Sequence, residues 1–80
     1  MSALRLKVFV SGCWDVMDGG ICIGCLVRIS RTPEWYYLHL ETMERTPIDV
    51  ETSNVSDAFG ALLLHLDRER DYRLHIARDV

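Results

Sequence analysis

The chain reads as an α+β domain of order βββαβ: a four-stranded mixed sheet in the spatial order 3-2-1-4, with one helix packed on one face. Three observations give this reading: a period-two alternation near the N-terminus, two strand-like runs separated by turn residues, and one run with helical periodicity. Leu4, Leu6, Val8 and Val10 alternate with Arg5, Lys7, Phe9 and Ser11, the pattern of a strand buried on one side. The even positions are expected to face the core.

Asp18-Gly19-Gly20 is a turn, because glycine reaches positive φ without steric cost, and Ile21 to Ser30 follows as a second strand rich in β-branched residues. Cys25 shares a face of that strand with Ile21, Ile23, Val27 and Ile29, which makes its thiol a small core group. Arg31-Thr32-Pro33-Glu34 ends the strand, since proline removes a ladder donor, and Trp35 to Thr42 reads as a third, aromatic strand. On it Tyr36, Leu38 and Leu40 compete with Trp35 and Tyr37 for the core side. Met43 to Ser53, interrupted by Pro47, reads as an irregular crossing in which Ile48 and Val50 touch something apolar.

Asn54 is a good helix N-cap, with Asp57 at the third helical position, where a carboxylate favours the positive end of the macrodipole. Val55, Ala58, Phe59, Leu62, Leu63 and Leu66 then form one apolar stripe, with Leu64 opposite it. The charges around Arg68 and Arg70 are read as the helix end. Tyr72, Leu74 and Ile76 alternate with Arg73, His75 and Ala77 as a last strand, which a right-handed crossover sets parallel to the first.

Eighty residues make a single domain, 1–80, with no linker or repeat. A domain of this size buries only about 60% of its unfolded surface, so burial against a partner subunit is expected to help. At 49% hydrophobic and 26% charged the composition is globular, and a net charge of −3 opposes a surface that grips nucleic acid all over. Neither a secretory h-region nor a run of about 20 apolar residues is present. Three cysteines, an odd number outside any loop-rich scaffold, point to reduced thiols and a cytoplasmic setting.

Val8-Phe9-Val10-Ser11-Gly12, Gly19-Gly20 with Gly24, and Thr52-Ser53-Asn54 followed by Asp57 resemble, in that order, the first half of the ribonuclease H fold. The resemblance covers nearly the whole chain. It implies carboxylates converging from the first strand, the helix and the last strand on two divalent metals, with Asp57 and Asp79 at the second and third acidic positions. Ser11 stands where the first-strand carboxylate belongs, so the resemblance implies an inert relative. Ser53 to Asp57 and Ala58 also resemble, loosely, the Ser/Thr-x-x-Glu/Asp-Ala helix start of the partial modules in HicB-type antitoxins. A metal-dependent nuclease is the third-ranked function, and neither metal nor cofactor is expected.

Cys22-Ile-Gly-Cys25 has knuckle spacing, but a strand sends residues i and i+3 to opposite faces. His39 and His75 fall on opposite edges of the expected sheet and cannot share a metal. The face away from the helix is expected to display Arg5, Lys7, Phe9, Leu26, Arg28, Trp35, Tyr37, His39, Arg73 and His75. Such a patch fits a protein partner or a second copy, with Trp, Tyr and Arg as anchors. The sequence therefore points to a non-catalytic interaction module, an inhibitor or antitoxin-like protein that self-associates as a homodimer; a phage-type inhibitor of a host nuclease complex is one setting, with Glu41, Glu44, Asp49 and Glu51 imitating phosphate charge. The alternative is an RNA- or single-strand-binding module in which bases stack on those aromatics.

Overall fold

A computed structural model describes residues 4–78, with side chains described through residue 69. Within them the strands β1 (Leu4–Val10), β2 (Cys13–Asp18), β3 (Ile21–Arg28), β4 (Trp35–His39) and β5 (Arg45–Ile48) form one antiparallel sheet in the order β1-β2-β3-β4-β5, and a single helix, α1 (Val55–Arg78), follows. Every strand pairs with the next one in the chain. The expected four-stranded mixed sheet of order 3-2-1-4 is thus replaced by a five-stranded meander, with no parallel pair among the described residues.

Three local effects account for the difference. First, Cys13 to Asp18 is a strand of its own, joined by the two-residue connections Ser11-Gly12 and Gly19-Gly20, where Gly12 (φ 80°) and Gly19 (φ 64°) take the left-handed conformation. Asp15 interrupts no pattern there, because it sits on the side away from the helix. Second, Arg45 to Ile48 pairs with β4 despite Pro47, which an outermost strand tolerates because its missing N–H need not serve a neighbour. Third, the helix continues to Arg78 through the segment read as a last strand. That segment has neither glycine nor proline, and it spaces Asp67 three residues before Arg70 and Glu69 four before Arg73, which favours continued helix.

The registers fix which side chains share a face. Leu6, Val16, Gly24 and His39 form one row, and Val8, Trp14, Leu26, Tyr37 and Thr46 the next. A third row holds Arg28, Trp35 and Ile48. This is the helix side, where Val16, Leu26, Trp35, Tyr37 and Ile48 meet Ala58 and Leu62 of α1 in the buried core. Removing a leucine such as Leu62 from water contributes about 1.5–3 kcal/mol. Val55, Phe59, Ala61 and Leu66 pack around it, close to the expected stripe, while Leu64 is 60% exposed.

Polar contacts fix the entry to α1. The Asn54 side-chain oxygen accepts from the Ser56 N–H at 2.8 Å, and its carbonyl accepts from the Ala58 N–H at 3.2 Å. The Thr52 hydroxyl accepts from the Asn54 N–H and donates to Asp57 at 3.2 Å. Trp35 donates its indole N–H to the Thr52 carbonyl at 2.8 Å, tying β4 to the segment before the helix, and its ring lies 5.4 Å from that of Trp14. Across the strand, the Tyr37 ring lies over Gly24, where a Cβ would overlap its outer atoms. No helix among the described residues is long and apolar enough to cross a membrane.

Candidate interaction surface

The helix covers one side of the sheet, so the other side decides what the molecule can touch. Lys7, Asp15, Cys25, Leu38 and Arg45 form one row across it, and Cys13, Val27, Tyr36 and Pro47 the next. A solvated sheet face ordinarily alternates in polar residues. Here the middle is apolar, with Cys13, Met17, Cys25, Val27, Tyr36 and Leu38 half-buried, and the cations Arg5, Lys7 and Arg45 exposed at the margins. Arg45 lies 5.6 Å from the centre of the Tyr36 ring, a cation–π contact that already uses the only aromatic in those rows.

One carboxylate interrupts the apolar middle. Asp15 accepts from the Cys25 thiol at 3.6 Å. Burial first, then the neighbouring Cys13 thiol and the Asp15 carboxylate, push the Cys25 pKa up from its ordinary 9.0 to about 12. This thiol is held protonated and is a poor nucleophile. Cys22 donates instead to the Gly24 carbonyl at 3.3 Å, so the two cysteines of the Cys-x-x-Cys spacing have separate partners, and all three cysteines are free thiols.

The expected patch is only partly assembled on this face. Arg5 and Lys7 are exposed on it as expected. Phe9 is 64% exposed at a register shift of β1, where it has no partner on β2. Leu26, Trp35 and Tyr37 lie instead on the helix side, with Trp35 and Tyr37 only 2% and 1% exposed. Arg28 is on the helix side as well, where its Nε–H donates to the Thr32 carbonyl at 3.0 Å. His39 also turns to that side, 3.8 Å from the Glu69 carboxylate, which lies 3.9 Å from His65. Arg73 and His75 belong to α1 rather than to a strand, and their side chains lie outside the described residues.

A shift of strand parity explains most of this. Val16 pairs with Gly24 and Met17 with Cys22, so Ile23 is unpaired and packs on the core, while beyond it Leu26, not Cys25 or Val27, points inward. The missed residues of the open face are Met17, Val27, Tyr36, Leu38 and Arg45. Gly24 was the available signal: a glycine within a strand marks a close approach, here that of Tyr37, and fixes the odd positions of β4 to the same side.

Of the positions named from the ribonuclease H resemblance, two lie on separate described elements. Ser11 lies in the β1–β2 turn, Asp57 is engaged by Thr52 in the first turn of α1, and Asp79 lies outside the described residues. Among the described residues no group of three or more His, Cys, Asp or Glu side chains is placed to hold a metal ion. Comparison with protein-family models, with curated proteins and with solved structures finds no match to this chain.

Proposed function

We propose that this protein is a non-catalytic interaction module that pairs with a second copy through the sheet face opposite α1, and that it acts, in the manner of small inhibitors and antitoxins, by covering a partner protein. The observation that carries the reading is the apolar centre of that face: Met17, Cys25, Val27, Tyr36 and Leu38 stand where a solvated sheet would present polar side chains. Two such faces stack at about 10 Å and supply the burial that a chain of this size lacks. Cations at the margins and an apolar middle match the usual anatomy of an interface. The three free thiols suit a reducing compartment such as the cytoplasm.

A nucleic-acid reading has weaker support, because stacking needs exposed rings and Trp35 and Tyr37 are in the core. Light scattering tests the proposal. The protein should show twice the 9.2 kDa of one chain, insensitive to salt, and Leu38→Glu should return it to one chain without loss of helix signal. A single-chain mass for the unaltered protein at high micromolar concentration, or binding to single-stranded nucleic acid that weakens steeply with salt, would overturn it.

A further inference from the structure

The two edges of the sheet are not alike. β5 is four residues long and carries Pro47, so it is poorly suited to accept another strand. β1 is seven residues long and has no proline, and it ends in Val8, Phe9 and Val10, which are 69%, 64% and 52% exposed. An edge strand directs every second pair of its N–H and C=O groups outward, which is the template for strand addition. We propose that the outer edge of β1 is a docking site for an extended segment of another protein, one that alternates acidic and apolar residues.

The charge pattern names the occupant. Arg5 and Lys7 project from one face of β1, while Leu6 and Val8 project from the other. A strand laid beside them places carboxylates opposite Arg5 and Lys7 at positions i and i+2, and apolar side chains next to Leu6 and Val8 at the positions between. Opposite charges facing across a strand pair stabilise it, and like charges oppose it. At the Val8 end of β1, a groove of about 540 Å³ runs inward over β2 and the end of β3, lined by Val8, Val10 and Trp14 together with Arg28 and Arg31. Neither β1 nor the lining of that groove contains an acidic residue; Asp15 of β2 stands opposite Lys7, while Arg5 stands opposite Met17.

A second copy fits this edge poorly. Full antiparallel overlap of Leu4–Val10 with itself has its two-fold centre at Lys7, setting one lysine directly opposite the other. The edge is therefore left to a foreign segment and the open face to self-pairing, with Arg5 and Lys7 at the border of both. This inference does not depend on the dimer.

The test uses the full chain and a short fluorescein-labelled peptide of alternating glutamate and valine flanked by glycine and serine, with a twin that has lysine for glutamate. Fluorescence anisotropy should show saturable binding of the acidic peptide and not of the twin. The double variant Arg5→Glu with Lys7→Glu should lose about tenfold or more in affinity for the acidic peptide and gain the twin. Hydrogen exchange should slow at residues 5–8 when the peptide is added, and not at β5. Leu38→Glu, which separates the copies, should bind the peptide as the unaltered protein does, so a failure of the dimer leaves this result standing. Equal binding of both peptides, no binding of either, or protection on β5 would overturn the proposal. So would residues 5–8 already being slow in a free dimer that the double charge reversal takes apart, because a second copy would then hold the edge.

Discussion

Gly24→Ala probes the packing that fixes the sides of the sheet. An alanine methyl at this position would overlap the outer atoms of the Tyr37 ring, and that ring is 1% exposed beneath α1, so it has nowhere to swing. Overpacking of this kind costs about 1–3 kcal/mol. Gly24 lies outside the left-handed region, so alanine regains about 0.4–1 kcal/mol by restricting the unfolded chain. The net loss is then about 1–2 kcal/mol, or roughly 5–15 °C in Tm for a domain of this size. Urea unfolding followed by Trp14 and Trp35 fluorescence should show the midpoint fall by about 1–2 M, given a slope near 1 kcal/mol/M. Tyr37→Leu should cost less in the Gly24→Ala background than alone, because the double variant relieves the overlap. A Gly24→Ala protein as stable as the original, or strictly additive losses, would refute the packing of Tyr37 on Gly24.

Other substitutions test separate parts of the account. Trp35→Phe removes the indole donor to the Thr52 carbonyl and part of the ring volume, and should cost about 1–3 kcal/mol in urea unfolding. Met43 is 65% exposed at φ 59°, so Met43→Gly should be neutral or stabilise by up to about 1 kcal/mol, measured by Tm. Cys25 should resist iodoacetamide at pH 8 while the protein is folded and react once urea exposes it, as peptide mass mapping would show. The same thiol has its folded pKa near 12, above the ordinary 9.0, so the unfolded chain releases its proton first as pH rises. Stability is therefore complete below pH 9 and declines from there towards 12; Tyr37, raised from 10.0 to about 12 chiefly by burial, acts in the same direction. Cys25→Ala should flatten that decline, and an unchanged slope would contradict the assignment.

How much of this was legible in the sequence depended on whether local chemistry or long-range pairing set each feature. The Asn54 cap, the exposed Leu64, the Asp18-Gly19-Gly20 turn and the Val55-to-Leu66 stripe are local, and each is found where the residues place it, save that Ala61 rather than Leu63 packs on the core. The alternation of β1 holds for Leu4 and Leu6, which pack on the core, but not for Val8 and Val10, which are exposed on either side of a register shift. β2 was hidden because Asp15 and Asp18 look like turn residues until strands pair with the segment on both of its edges. The charges around Arg68 and Arg70 do not end α1, because arginine and glutamate are good helix formers. The parity of β3 and β4 was not legible at all from alternation, since both sides of each strand are apolar. It is set by one unpaired residue, Ile23, and by the fit of Tyr37 over Gly24. That single displacement moved Trp35, Tyr37 and His39 from the expected patch to the helix side, and put Tyr36, Leu38 and Val27 in their place.

The most direct test of an apolar sheet face that pairs with its own copy is methyl relaxation by a soluble gadolinium chelate, read residue by residue in solution NMR. At high protein concentration the methyls of Val27 and Leu38 should be spared while those of Val8 and Leu64 relax strongly, and dilution below the dissociation constant should expose the first pair. Val27 and Leu38 relaxing as fast as Val8 at every concentration would contradict the account.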